Sequence, residues 1–318
     1  MGNTRLTGLR MTRESLSYID AMHSILTHRG WFRQSKAMLA GMTVSGFRFT
    51  VDRELNADSW HAYNWVAEHF LAADFIGVTA SSKAGFSFAP TFPLYQKHAV
   101  AMIKQSIDDG IGAVFWKDDF VIAAGYDDEE GALLYDDGSD PDGELHRLPY
   151  GDFGRNASPY WYYQTLEAQL AVDELEIYRE SFMQAIYKWE THDPMLPEHA
   201  YACGKQAYAA FIACIDGGVY RRHEAASLIT RYAAAKRDIS AYADRLAMIW
   251  PACESIAACY AQVSNLFARL SICLPAGDDL RAVRLLREAM ALEDQAIASM
   301  KSLMRERIQN RFEDIALR

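Results

Sequence analysis

Between residues 112 and 137, three short apolar runs, GAVFW, FVIAAGY and GALLY, are each followed by an acidic turn. Runs this short, broken by Asp, Glu and Gly, leave no room for a helix crossover. They read as strands joined by tight turns in a mainly antiparallel sheet. Helical patterns precede them. One covers 13–29 and stops at Gly30, and others lie near 57–71 and 93–109. The stretch SKAMLAGMTVSGFRFTV starts helically and passes through Gly41 and Gly46 into strand-like alternation. Helices followed by an antiparallel sheet predict an α+β domain over residues 1–155.

A different pattern starts at Ser158-Pro159, a cap residue followed by a first-turn proline. Helical periodicity runs through 160–190, 197–216, 220–249, 252–273 and 279–312. The breaks fall at Asp193-Pro194 and Pro197, Gly217-Gly218, Pro251 and LPAGDD. No part of it reads as strand, so residues 156–318 are expected to form an all-α helical bundle. YWYY at 160–163 reads as a seam against the first domain. In the last helix Leu280, Val283, Leu286, Ala289, Met290, Glu293, Ala296, Met300 and Leu303 trace one stripe. Glu293 is the polar exception on it, expected to pair with an Arg or to point into an interdomain cleft.

Charge and cysteine usage narrow the partners. The net charge is −10 with no basic stripe, which argues against nucleic acid. Apolar stretches are broken by charges before membrane-spanning length. The opening MGNTRLTGLRMTRES reads as neither a signal nor an anchor, and Leu6 stands where a myristoylation motif has Ser or Thr. Five cysteines without a Cys-x-x-Cys pair read as reduced helix residues of a cytoplasmic protein. His199 and Cys203 could share a helix face, but without a second pair packing is the better reading, and no metal is expected. DDGSDPDGE (136–144) puts Gly138 at the first calcium-loop position and reads as a solvated turn. GMTVSGF lacks the spacing and Lys of a phosphate loop, so no cofactor is expected.

The opening helix has a polar stripe of Ser17, Asp20, His23 and Ser24. The string from Ser17 to Gly30, followed by SKAMLAGMTVSGFRF, resembles the opening of the butirosin-biosynthesis protein H N-terminal family. That family belongs to the papain-like superfamily, with the double-glycine leader peptidases. SIDDGIGAVFWKDDFVIAAGYDDEEGALLYDD (106–137) resembles the family's helix and three following strands. RLPYGDF (147–153) and YACGKQAYAAFIACIDGG (201–218) resemble later segments.

The resemblance implies a papain-like domain. A nucleophile would sit at a helix N-terminus, with an imidazole on a facing strand and a carboxylate to orient it. Counting from Gly30 and Gly125, these positions fall on Ser17, Asp119 and Asp136, with Asp137 an alternative to Asp136. The cysteine and histidine are therefore replaced, and no Gln precedes Ser17 to complete an oxyanion hole. A serine hydroxyl needs a real base, and an ionised carboxylate is a poor one near neutral pH. His23 lies about 120° round the helix from Ser17. Asp20, one turn away, is expected to accept the Ser17 hydroxyl in a structural contact. How near His61, His69 and His98 come is not set by the sequence.

The functional expectation is a divergent, non-peptidolytic papain-like protein that binds a small ligand, peptide or carrier-linked acyl group in an interdomain cleft, with Asp20, His23 and Asp137 contributing to binding. The alternative is an acyltransferase or amide hydrolase of a bacterial biosynthetic pathway using Ser17 as an altered nucleophile, since the resemblance implies transfer of an acyl chain from a carrier protein to an amine. A third reading is a homodimer through the helical domain, whose Met and Ala content suits adaptable contacts.

Overall fold

The computed structural model describes residues 2–140 and 143–316, with side chains as far as Arg305. The chain divides into two compact units. One comprises residues 1–39 and 65–172, the other residues 40–64 and 173–318.

The first unit is α+β. Its strands are β1 (Asn3–Arg5), β3 (Val78–Phe86), β4 (Ala113–Trp116), β5 (Phe120–Asp127), β6 (Ala132–Asp136), β7 (His146–Pro149) and β8 (Tyr160–Gln169). They pair in the order β3-β8-β4-β5-β6-β7, and β1 pairs with β5. Every pairing is antiparallel. Residues of β5 are buried throughout, which explains why FVIAAGY is a continuous apolar run rather than an alternating one. Gly125 is required where β1 crosses, because a Cβ there would lie 2.7 Å from the Thr4 carbonyl oxygen.

Three helices complete this unit: α1 (Ser17–Arg29), α3 (Trp65–Phe75) and α4 (Phe92–Asp108). Phe92, Ala99, Val100, Ile103 and Ile107 of α4 pack with Phe115, Val121, Ala123, Trp161 and Tyr163 from one face of the sheet. Aromatic residues on the other face, Phe120 and Tyr162, meet α1 and α3. Gly30 ends α1 at φ 76°, in the left-handed region that its position after the last apolar residue predicts.

Helix α2 (Lys36–Met42) carries the chain from the first unit into the second. The second unit is helical, with α5 (Glu174–Glu190), α6 (Lys205–Gly217), α7 (Arg222–Ile249), α8 (Glu254–Cys273) and α9 (Asp279–Ala316). A short ladder joins β2 (Thr50–Asp52) to β9 (Tyr201–Cys203). No helix among the described residues is long and apolar enough to cross a membrane.

The boundary differs from the expected 1–155 and 156–318. Residues 160–169 form β8, inside the first unit's sheet, instead of opening a helix. The alternation of YWYYQTLEAQ decides it. Trp161 and Tyr163 pack on the α4 side, and Tyr162 faces α3. YWYY is therefore strand, not a seam. Residues 40–64 also belong with the helical unit, a crossing that no linker composition marks. Cys203 is in β9, so it shares no helix face with His199. Glu293 pairs with Lys236 rather than with an arginine.

Candidate functional site

Ser17 is the first residue of α1. It follows Leu16, an extended residue that supplies no side-chain cap. Asp20 N–H donates to the Leu16 carbonyl, the first i to i−4 bond of the helix. Ser17 is 8% exposed, and its Oγ is buried with no hydrogen-bond partner. A buried hydroxyl left unpaired costs about 1–3 kcal/mol relative to a paired one, and it sits at the positive end of the helix dipole.

Asp20 does not take that hydroxyl. Its buried carboxylate accepts the Glu14 and Ser15 N–H groups at 3.1–3.3 Å and pairs with Lys36 Nζ at 2.8 Å. Burial pushes the Asp20 carboxyl up, opposed by its bonds to Lys36 and the two amides. Lys36 also donates to the Thr12 carbonyl at 2.5 Å and pairs with Glu14 at 3.3 Å. The i+3 carboxylate thus folds the lead-in back on the first turn, which is a different use from the contact expected with Ser17. His23 is likewise engaged: its Nε2 meets the Gln34 carbonyl at 2.9 Å, its ring meets Phe32 edge-on, and burial pulls it below its usual range.

Asp136 closes β6, opposite Ile122 of β5. Its Oδ2 accepts Arg10 Nε at 2.6 Å and Met11 N–H at 3.0 Å, and its Oδ1 accepts Gly138 N–H at 2.9 Å. Arg10 spans further, to the Asp140 and Gly143 carbonyls. Asp137 accepts Ser139 N–H and pairs with Arg13 at 3.2 Å and His146 at 3.5 Å. The hydrogen bond to Ser139 and the Arg13 and His146 charges hold its carboxyl below the usual range against partial burial. These two acids tie the lead-in of α1 to the end of the sheet. Pro141 and Asp142 of the acidic turn lie outside the described residues.

Asp119 is the last residue of the turn between β4 and β5. Trp116 pairs with Phe120 across it, and Asp118 takes φ 62°. Asp119 Oδ1 accepts Phe120 N–H at 3.1 Å. The antiparallel pairing of β5 with β6 puts Asp119 and Asp136 at one end of the sheet. Tyr18 ties α1 to that end, since its ring meets Phe120 edge-on at 5.7 Å. Ser17 and Asp119 thus each adjoin one partner of an aromatic contact. No hydrogen bond links the Ser17 hydroxyl to Asp20, Asp119 or Asp136, because that hydroxyl has none.

Sequence reasoning missed the groups that build this corner: Arg10, Lys36 and Gln164. The last is fully buried on β8 and accepts the Tyr18 hydroxyl at 2.9 Å. His69 also joins the corner, stacked on Tyr18. A capping signal could have revealed Asp20, which lies five and six residues after the two amides it accepts, those of Ser15 and Glu14. No local pattern could have revealed the others, which act across 16 to 146 residues. Among the described residues no group of His, Cys, Asp and Glu is arranged to hold a metal ion. The chain matches no family model and no curated protein sequence.

Proposed function

We propose that the chain is a divergent papain-like protein without peptidase chemistry, which holds a small ligand, a peptide or a carrier-linked acyl group at the first turn of α1. The observation that carries this reading is the Ser17 hydroxyl, buried and unpaired at a helix N-terminus without a side-chain cap. The first-turn N–H groups and this hydroxyl converge on a carbonyl or carboxylate oxygen as their natural complement. Chain order supports the papain-like ancestry: a helix N-terminus, then Asp119 at the mouth of β5, then Asp136 at the end of β6.

Acyl transfer through Ser17 requires a base within reach of its proton. A hydroxyl without any hydrogen-bond partner has no such base, which favours holding over cutting. The test uses S-acetyl-N-acetylcysteamine as a thioester probe for binding and p-nitrophenyl acetate for turnover, with wild type and Ser17→Ala. Binding weakened about tenfold in Ser17→Ala, the loss of one hydrogen bond, is expected. No Ser17-dependent release of p-nitrophenol should accompany it. Ser17-dependent release would replace this reading with the acyltransferase or amide hydrolase. Equal binding by both proteins, or none by either, would remove Ser17 from the ligand site.

A further inference from the structure

The chain loses its charge where β3 hands over to α4. From Ala84 to Gln96 there is no charged residue, Lys83 and Lys97 stand at the two ends, and no Asp or Glu occurs between Asp74 and Asp108. In a chain of net charge −10 this stretch is an exception. It is also apolar, with Phe86, Phe88, Phe92, Leu94 and Tyr95 inside it. Phe92 is buried against the sheet, but Phe88 is 73% and Leu94 70% exposed, and Phe86 and Tyr95 are exposed as well.

These side chains gather at one end of the first unit's sheet. The Phe86 ring lies 5.1 Å from that of Phe88 and 5.3 Å from that of Tyr160, the exposed residue that pairs with Phe86 across the strands. Trp161, the next residue, faces α4, where Tyr95 stacks on it at 5.6 Å. The backbone of the connecting turn suits a medium poor in water. The Ser87, Ala89, Phe92, Leu94 and Tyr95 N–H groups donate to nearby carbonyls, and Pro90 and Pro93 carry none. Exposed cations flank the turn. Lys83 Nζ donates to His98 Nε2 at 3.0 Å, Lys97 follows Leu94 and Tyr95 on α4, and Arg155 Cζ lies 6.0 Å from the Phe92 ring centroid. The acids on the adjoining turns are Asp152 and Asp118, the latter paired with Lys117.

Contiguous exposed apolar groups mark an interaction surface, and the flanking charge selects what covers it. A second copy of the chain would set lysine against lysine. Phe88 and Leu94 project from a turn and from the start of a helix, so they enter a partner instead of receiving one. An anionic bilayer accepts both features: phenyl and leucyl groups enter the acyl boundary, tyrosines rest at headgroup level, and lysines meet the lipid phosphates. We propose that this end of the first unit docks on an anionic membrane surface, with Phe88 and Leu94 inserted and Lys83, Lys97 and Arg155 on the headgroups. The contact is peripheral and involves no spanning helix. It is independent of the reading of Ser17.

The test floats the full chain with phosphatidylcholine vesicles and with mixed phosphatidylcholine–phosphatidylglycerol vesicles, at low and high salt. Saturable binding to the mixed vesicles is expected, weaker by about tenfold on phosphatidylcholine alone and weakened by salt. This dependence is read on wild type and stands whether or not a variant folds. The double variant Phe88→Asp, Leu94→Asp should keep the wild-type urea midpoint and bind more weakly by about tenfold or more. Lys97→Gln should lose about fivefold. Leu280→Asp, at an equally exposed leucine of α9, should leave binding unchanged. Absence of binding to the mixed vesicles, equal binding to both vesicle types, or undiminished binding by the folded double variant would overturn the proposal. A dimer in sedimentation equilibrium that the double variant dissociates would overturn it too, by assigning the patch to a second copy.

Discussion

Tyr18 lies flat on His69, ring centroids 3.4 Å apart and planes 2° from parallel. The contact is one side of a closed circuit. The Tyr18 hydroxyl donates to Gln164 Oε1 at 2.9 Å, Gln164 Nε2 donates to the His69 carbonyl at 3.1 Å, and His69 Nδ1 meets the Tyr162 hydroxyl at 2.9 Å. The start of α1, the middle of α3 and strand β8 are locked together beside Ser17. The His69 ring is thus engaged by Tyr18 and Tyr162 and not by the Ser17 hydroxyl, which has no hydrogen-bond partner.

His69→Leu keeps the volume but leaves the buried Tyr162 hydroxyl without its ring-nitrogen partner. A loss of about 2–3 kcal/mol is expected, read as a lower urea midpoint at unchanged slope. His69→Gln, which retains a hydrogen-bonding group, should recover part of it. A Leu variant as stable as wild type would show that the circuit contributes nothing.

Asp136→Ala removes the acceptor for Arg10 and for the Met11 and Gly138 amides. Arg10 keeps its two carbonyl acceptors and is partly exposed, so the cost should fall below that of a fully buried pair, at about 2–3 kcal/mol. Hydrogen exchange should rise over residues 10–20 more than over α4. Uniform exchange across the unit would mean that Asp136 does not position the lead-in of α1.

Much of this architecture follows from local pattern. GAVFW, FVIAAGY and GALLY became β4, β5 and β6 because apolar runs this short between acidic turns have few alternatives. Gly30 ended α1 because the left-handed region tolerates it. Strand β3, VTASSKAGF, carried no apolar signal: its residues are mostly exposed or half-exposed, and its place comes from pairing with β8. Strand β8 was hidden by a helix-like Ser-Pro start and by the acids that follow it. At the site, Ser17 and Asp20 were legible as a polar stripe, but their separate fates were not. Asp20 was taken by backbone amides five and six residues earlier, and only the folded lead-in shows that the serine was left unpaired.

Lys236 and Glu293 form a buried ion pair in the helical unit, at 2.6 and 2.8 Å, with the Tyr208 hydroxyl donating to Glu293 at 2.7 Å. Both residues are at most 2% exposed, and Lys236 lies 5.3 Å from the Phe49 ring centroid. Lys236→Met or Glu293→Leu alone strands a buried charge and should cost about 3–5 kcal/mol, whereas the double variant should recover most of that loss. Denaturant unfolding of all four proteins closes the cycle. Additive losses would mean that the two charges are not energetically coupled.

The lowered titration of His61 sets a pH dependence whose sign is fixed. Below pH 6.5 the unfolded chain protonates this ring more readily than the folded chain, where burial first and then the Arg231 and Arg48 charges disfavour the charged form. The unfolded state then binds more protons, so stability falls on acidification through this window, by at most about 1.4 kcal/mol per pH unit for one site. His23 acts in the same direction. Asp20, raised from 3.8, acts in the opposite direction nearer its own range, so the measurement belongs between pH 5.5 and 7. His61→Gln should flatten the slope of unfolding free energy against pH there, leaving the share due to His23. A slope unchanged by His61→Gln would show that this imidazole is as easily protonated in the folded chain as in the unfolded one.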